Sequence, residues 1–249
     1  PTPSTRKTIV MATFASTLIL IIGFFIFLEI FDRTVRDKNR AERLIPSFVL
    51  GVFPKKNIVR YRGYNKEYER IAINYLANSI VPYLNPKEKP DIINFISTEE
   101  STGKSKLILM LEQYWSERGL RVRVISWHEE LSEMTGKFIL SNNLSELYDY
   151  ENEDIILVEH QSLRKSAIPV GLLREASINL TIIRADKVWR DIDKVFFERL
   201  KENVGSAPLV LYLTNTKREV SEAFLGMLPP YSKLRTMVYK FMQFGLTSK

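Results

Sequence analysis

The sequence predicts an α/β domain with a mainly parallel sheet and flanking helices, preceded by one transmembrane helix. Two observations support this fold class. Residues 8–28 form an uncharged apolar run, and from Pro90 onward short apolar strand patterns alternate with amphipathic helix patterns. Such alternation is typical of parallel sheets, because two parallel strands can be joined only by a long crossover connection.

The apolar run is long enough to span a bilayer. As a helix, residues 8–28 would extend about 31 Å, which matches the hydrocarbon core of a membrane. A buried helix of a soluble protein is the alternative, but soluble helices are rarely apolar on every side. A signal peptide is disfavoured because the run is long and no small-residue cleavage site follows it.

The positive charge of the chain is concentrated beside this run. Residues 32–66 contain ten Lys/Arg and three Asp/Glu, a difference of +7 that equals the net charge of the whole chain. The positive-inside rule places this side in the cytoplasm, where the cations are expected to contact anionic lipid head groups. A nucleic-acid binder would carry basic residues across its folded domain, so no nucleic-acid partner is expected.

The chain divides into four predicted parts. Residues 1–7 are predicted to form a proline-bearing lead-in, 8–31 the transmembrane helix, 32–64 a basic connector with an apolar insert at 48–54, and 65–249 the cytoplasmic domain. This domain is expected to begin with a helix. The expected strands cover 92–97, 121–126, 154–159, 179–184 and 209–213, and the expected later helices cover 104–117 and 191–203.

A phosphate-binding loop is predicted between the first strand of this domain and its helix. The segment reads TEESTGKS, and Gly103, Lys104 and Ser105 match the end of the P-loop pattern. Backbone N–H groups at a helix N-terminus, together with the lysine, would hold ATP or ADP phosphates. Thr98 stands where the pattern opens with glycine, so a loop without a ligand remains the alternative. The nucleotide-binding candidates are Thr98, Ser101, Thr102, Gly103, Lys104 and Ser105.

A magnesium site would need oxygen ligands at neighbouring strand ends. The candidates are the Ser105 hydroxyl and Glu159, which ends an apolar strand; the alternative for Glu159 is a solvated loop residue. Both histidines, His128 and His160, are expected to be ordinary polar loop residues rather than catalytic bases. Trp127 is expected to pack in the core.

The order of these segments resembles the C-terminal part of bacterial exopolysaccharide and capsule chain-length determinants, the polysaccharide co-polymerases, fused to a cytoplasmic BY-type tyrosine kinase. The connector carries the most specific match, with Asp32 and Arg33 leaving the membrane and Leu50-Gly51-Val52-Phe53-Pro54 resembling an LGxIP motif. The resemblance covers essentially the whole chain. It implies the bacterial inner membrane, with the lead-in of residues 1–7 in the periplasm. It also implies a periplasmic domain and a first membrane helix upstream of Pro1.

The resemblance also implies roles for individual residues. The Walker A motif of the family falls on 98–105, and its Walker B aspartate on Glu159. Of the second acidic motif, which is implied to hold Mg²⁺ and to activate the acceptor tyrosine, both aspartates are replaced. Ser126 and His128 replace those aspartates, and Ser162 replaces a proline of the Walker B segment. The oligomerisation motif of the family falls on Glu67 and Arg70, with Ile73 in place of its final arginine. The implied phosphoacceptors are Tyr231 and Tyr239.

These replacements predict a degenerate kinase-like domain, because phosphoryl transfer depends on charge neutralisation by the metal and its carboxylates. Glu129 or Glu130 could substitute only if the loop shifts. The expected function is an oligomeric scaffold or regulator of polysaccharide export, with the chain itself and the polymerase or export machinery as partners. The alternatives are an active ATP-dependent autophosphorylating tyrosine kinase that controls chain length, or a membrane-anchored partition-type ATPase.

Overall fold

The computed structural model describes residues 5–31, 34–59, 61–85, 90–127, 135–150, 152–232 and 237. Asp32, Arg33, His128, Glu129, Glu130 and Tyr239, on which sequence predictions fall, lie outside these residues. The helices are α1 (Thr5–Phe31), α2 (Lys38–Leu44), α3 (Asn65–Ile80), α4 (Lys104–Ser116), α5 (Thr135–Leu140), α6 (Val170–Glu175), α7 (Asp191–Val204) and α8 (Arg218–Leu225). The strands are β1 (Val49–Pro54), β2 (Asp91–Ile96), β3 (Val122–Ser126), β4 (Ile155–Glu159), β5 (Ile178–Arg184) and β6 (Leu209–Thr216).

The six strands form one sheet in the order β1-β6-β5-β2-β4-β3, and all five neighbouring pairs are parallel. The predicted fold class is thereby confirmed. The first helix, α1, begins at Thr5, three residues before the predicted start, and is the one helix in the described part of the chain that is long and apolar enough to cross a membrane.

The connector prediction needs one correction. Residues 48–54 were expected to be an apolar insert between membrane and domain, but β1 is the edge strand of the sheet and pairs with β6. All six β1 residues are buried. Gly51 packs closely there, because a Cβ atom on it would lie 3.0 Å from a ring carbon of Tyr212 and 3.3 Å from one of Tyr75, so both rings would have to shift. The folded domain therefore begins before residue 65.

Apolar side chains fill both faces of the sheet. On one face the core includes residues of α3 and α4, such as Leu76, Leu107 and Trp115. On the other face it includes residues of α2, α6 and α7, such as Ala41 and Phe197. The short helices α2, α5, α6 and α8 were not predicted, since six to eight residues are too few to show a clear helical period.

The connections of the sheet create a crevice at one edge. After β2 the chain passes through α4, which packs on one face, whereas after β4 it passes through α6, which packs on the other. β2 and β4 are adjacent in the sheet. In open parallel sheets, ligands bind at the carboxyl ends of strands where the connections diverge in this way. The predicted phosphate loop follows β2 at this position.

Candidate phosphate-binding site

The loop between β2 and α4 has the backbone form that a phosphate loop requires. Its chain enters the left-handed region at Ser101 (φ 56°) and at Gly103 (φ 90°), and Gly103 is the N-cap of α4. Neither of these positions is Thr98, whose side chain is buried. The threonine therefore occupies a position at which this loop does not need glycine. The Thr214 hydroxyl on β6 donates to the Thr102 carbonyl oxygen at 2.6 Å and fixes the loop to the sheet.

A pocket of about 340 Å³ opens at the N-terminus of α4, between this loop and residues 159–162. Two of the residues that line it, Thr102 and Ser162, have buried hydroxyls without a hydrogen-bond partner among the described residues. A buried hydroxyl left unpaired costs about 1–3 kcal/mol. Both hydroxyls can donate to a ligand rich in acceptor oxygens, and a phosphate group is such a ligand.

Lys104 is held inside the same pocket. Its side chain is buried, and the ammonium group donates to the backbone carbonyl oxygen of His160. Burial lowers the pKa of Lys104 to about 8, although the carboxylates of Glu159 and Glu100 act in the opposite direction. A single carbonyl oxygen is a weak partner for a buried cation, so a phosphate oxygen would be a better one.

His160 directly follows β4 and is a buried residue of the connection rather than an ordinary polar loop residue; its backbone N–H donates to the Phe95 carbonyl oxygen at 3.1 Å. Its Nε2 lies 2.9 Å from Oδ1 of Asn94. The amide nitrogen of Asn94 already donates to the Leu172 carbonyl oxygen and to Oδ1 of Asn179, so Asn94 Oδ1 accepts and His160 Nε2 carries the proton. Burial, with a smaller contribution from Lys104, lowers the pKa of His160 to about 3. The imidazole is therefore neutral and structural at ordinary pH.

The predicted metal ligands meet beside the pocket. The Ser105 hydroxyl donates to Oε1 of Glu159 at 2.6 Å, and the Ser126 hydroxyl lies 3.3 Å from Oε2. Ser126 and Glu159 are register partners at the ends of β3 and β4. Glu159 is buried, which excludes the solvated-loop alternative. An oxygen pair of this kind, Ser105 with Glu159, fits a Mg²⁺ ion, which accepts hydroxyl and carboxylate ligands and keeps several waters.

Trp127 follows Ser126 and is buried in the core, as expected. Its ring packs edge-on against Phe138 with 5.1 Å between the centroids.

A second, smaller pocket lies on the other side of the loop, and sequence reasoning missed it. It has a volume of about 220 Å³ and is lined by Ser101–Gly103 together with Arg184 and Asn215. Arg184 is paired with Asp186 at 2.9 Å, and Asn215 adopts a left-handed backbone (φ 57°). The polar Thr-Asn-Thr end of β6 was the available signal, because it ends a parallel strand at the edge where ligands bind.

Two positions of the predicted oligomerisation motif, Glu67 and Arg70, lie on the exposed side of α3. Arg70 binds Glu67 through two hydrogen bonds, of 2.6 and 3.1 Å, and this contact lowers the pKa of Glu67. Ile73, the third motif position, is buried in the core. Arg70 and Ile73 also line a groove of about 500 Å³ with residues of α4. Tyr231 is 62% exposed and thus accessible for modification.

Together the fold and the site define a P-loop type α/β domain. Neither a protein-family model nor a curated protein sequence matches the chain. Among solved structures, the chimerical protein CapA2B2 is 13% identical with a TM-score of 0.50, over 73% of this chain and 100% of that chain. The kinase domain of Escherichia coli tyrosine kinase ETK is 12% identical with a TM-score of 0.49, over 75% and 94%. The BceF tyrosine kinase domain is 15% identical with a TM-score of 0.49, over 73% and 99%.

At these identities the likeness concerns the fold alone. The domain has the P-loop α/β fold that the resemblance to BY-kinase domains implies.

Proposed function

We propose that this chain is a membrane-anchored P-loop protein that binds ATP or ADP at Thr98–Ser105 and serves as an oligomeric scaffold or regulator of exopolysaccharide export. One observation carries the nucleotide proposal: the buried hydroxyls of Thr102 and Ser162, which have no hydrogen-bond partner among the described residues, line the pocket in which Lys104 is buried. In this proposal α1 spans the inner membrane and places the domain in the cytoplasm.

Each part of the loop has a role in holding phosphate. The left-handed turn at Gly103 directs the first N–H groups of α4 toward the pocket, where the helix dipole favours an anion. Lys104 would exchange the His160 carbonyl for a phosphate oxygen. Ser105 and Glu159 would hold a Mg²⁺ ion, which neutralises phosphate charge when bound.

The metal half of the site, formed by Ser105, Ser126 and Glu159, supports weak phosphoryl transfer at most. In the related motif an aspartate is implied at residue 126, where this chain has a serine whose hydroxyl faces Glu159. A hydroxyl contributes no negative charge to a metal site and is too weak a base to activate a tyrosine. The proposed scaffold role in polysaccharide export rests on the resemblance in segment order, and self-association through α3 rests on Glu67 and Arg70.

Titration with a fluorescent ADP analogue tests the nucleotide proposal. The full chain in lipid nanodiscs is compared with Lys104→Met and with Lys194→Met, which removes an exposed lysine of α7. We expect Lys104→Met to weaken binding at least about tenfold, because a charge-assisted hydrogen bond contributes about 1.5–3 kcal/mol. Lys194→Met should bind like the unmodified chain. Equal affinities for all three proteins would exclude binding at this loop.

A phosphotyrosine blot of the expressed chain separates the scaffold from the kinase alternative. The scaffold proposal expects no signal at Tyr231 or Tyr239. A signal that disappears in Lys104→Met would instead establish an active autokinase.

A further inference from the structure

The segment after α1 is bonded to the edge of the sheet that carries the phosphate pocket. Val35 N–H donates to the Lys187 carbonyl at 3.1 Å, and Arg36 N–H donates to the Ala185 carbonyl at 2.8 Å. Thr34 forms a β-bridge with Val188, and the Val35 side chain is buried in the core. This attachment point directly follows β5, at the carboxyl edge.

Covalent geometry places the end of α1 close to this edge. Consecutive Cα atoms are 3.8 Å apart, so the three peptide units between Phe31 and Thr34 span at most about 11 Å. If α1 crosses a bilayer, the carboxyl edge of the sheet must therefore lie near the membrane surface, and the amino edge lies farther away.

A second element follows β1 at the same edge, namely the loop that the structure describes at residues 55–59, 61 and 62, called here the 55–62 loop. The N–H of Lys55 donates to the Thr216 carbonyl at the end of β6. β6 is paired with β5, with Thr214 opposite Arg184. Neighbouring strands are about 4.8 Å apart, so the loop starts two strand spacings, about 10 Å, from the segment that follows β5. The 55–62 loop and the attachment of α1 therefore share one face of the domain.

This loop presents two aliphatic side chains to solvent. Ile58 is 79% exposed and Val59 is 89% exposed, the highest fraction for any large hydrophobic side chain in the described residues. The base of the loop is closed by Asn57 and Asn65, since each accepts a hydrogen bond of 2.9 Å from the other. Arg218 stacks over the Tyr61 ring at 4.0 Å. The aliphatic pair is thus held outward by a braced loop.

Cations flank the aliphatic pair in the sequence. Residues 55–66 contain five Lys/Arg and no Asp/Glu. Of these, Lys55, Lys56, Arg62 and Lys66 are exposed in the structure. Apolar tips flanked by cations are suited to a membrane interface, where the aliphatic groups enter the acyl boundary and the cations meet lipid phosphates.

From these observations we propose that the 55–62 loop inserts Ile58 and Val59 into the anionic cytoplasmic leaflet, as a second membrane contact of the domain. This inference rests on the proposed membrane anchoring by α1, but not on nucleotide binding. Two contacts, α1 and the loop, fix the orientation of the domain, so that the phosphate pocket opens on the side facing the membrane. The alternative partner that would cover the Ile58 and Val59 side chains is a second copy of this chain.

Single-cysteine labelling tests the insertion, because the chain contains no cysteine. Val59→Cys is labelled with an environment-sensitive fluorophore in the full chain, reconstituted in phosphatidylcholine–phosphatidylglycerol vesicles with or without doxyl-lipid quenchers. Val81→Cys is the matched control, since this valine is 54% exposed and follows α3 at the amino edge. Leu18→Cys, in the middle of α1, reports whether the helix itself is inserted.

We expect doxyl lipids to quench the probes at residues 18 and 59 and to leave the probe at residue 81 unchanged. Quenching at residue 18, with residue 59 behaving like residue 81, would overturn loop insertion and leave the α1 anchor standing. A blue-shifted but unquenched probe at residue 59 would show that another copy covers the tip, and would also overturn the proposal. Loss of quenching at residue 18 would remove the anchor and the inference together.

A charge-reversal arm tests the role of anionic lipid. Lys55→Glu combined with Arg62→Glu should reduce quenching at residue 59 several-fold, as should vesicles of phosphatidylcholine alone. The control pair, Arg118→Glu with Arg199→Glu, reverses two exposed charges outside the loop and should leave quenching unchanged. If the 55/62 reversal and the control pair behave alike, head-group contact by the loop is excluded.

Discussion

The two halves of the candidate site differ in how completely they are built. In the phosphate half, Gly103 supplies the turn, Lys104 a buried cation, and Thr102 and Ser162 two hydroxyls with no partner among the described residues. In the metal half, the Glu159 carboxylate is placed between the hydroxyls of Ser105 and Ser126. The first half holds hydrogen-bond donors suited to an anion, whereas the second holds a carboxylate whose two oxygens face hydroxyl groups.

This difference separates binding from chemistry. Backbone N–H groups, a lysine and hydroxyl donors are sufficient to hold phosphate. Transfer of a phosphoryl group needs, in addition, negative ligands that fix the metal and a base that accepts a proton. A chain can lose the second set and keep the first, because the two sets are supplied by different side chains. Three predictions test this separation and a fourth tests the surface of α3, from the largest expected effect to the smallest.

The pH dependence of nucleotide affinity should report on Lys104. Burial lowers its pKa to about 8 in the free protein, and a bound phosphate would raise it. Affinity should therefore be constant below pH 8 and fall about tenfold per pH unit above it, because protonation must then accompany binding. Titrations with ADP between neutral pH and pH 9.5 measure this fall. In Lys104→Met the dependence should vanish, and a persistent fall there would assign it to another group.

Removal of one unpartnered hydroxyl should weaken binding without destabilising the fold. Thr102→Val is expected to lower nucleotide affinity about fivefold, the equivalent of about 1 kcal/mol for one hydrogen bond. The free energy of unfolding without ligand should stay the same or rise, since this hydroxyl has no partner among the described residues.

The matched control is Thr214→Val, whose hydroxyl donates to the Thr102 carbonyl at 2.6 Å. This variant should lose about 1 kcal/mol of folding stability, because a buried acceptor loses its donor. Chemical denaturation measures the free energy of unfolding of both variants, and ADP titration measures their nucleotide affinity. Equal destabilisation by the two substitutions would show that the Thr102 hydroxyl is satisfied in solution.

Restoring a carboxylate to the metal half should create a dependence on magnesium. In Ser126→Asp, two carboxylates would face each other at the ends of β3 and β4, and their repulsion should lower stability by about 1 kcal/mol without metal. Mg²⁺ should restore the thermal midpoint by bridging them. Ser126→Asn introduces a side chain of the same size as aspartate but without its charge, and its thermal midpoint should not respond to Mg²⁺. An identical response of both variants would place residue 126 outside any metal site.

The surface pair on α3 should have the smallest effect on folding. Glu67 and Arg70 are exposed, and exposed ion pairs contribute little to stability because water and salt screen them. Arg70→Ala should therefore leave the thermal midpoint unchanged, while mass photometry shows smaller assemblies if α3 is the contact between copies. Arg118→Ala, on the neighbouring surface, is the control. An unchanged assembly size would remove Arg70 from the proposed interface.

Features that depend on neighbouring residues in the chain could be predicted from sequence. The five strands from β2 to β6 and the helices α4 and α7 lie within a few residues of their predicted positions, because apolar runs and helical spacing are local signals. The loop at Gly103–Ser105 follows from the same kind of pattern. The boundary of the folded domain was misplaced, since nothing local in residues 48–54 shows which strand they pair with.

The contacts between distant residues were decided by the tertiary structure alone. The sequence by itself determined an apolar helix, a basic connector, a phosphate-loop pattern and the serine at position 126. Only the fold buried His160 against Asn94, brought Ser126 to Glu159, and set the exposed Ile58 and Val59 on the same edge as the end of α1. The physical reason is that pairing, burial and electrostatic environment are set by strand order and packing, which bring together residues many positions apart.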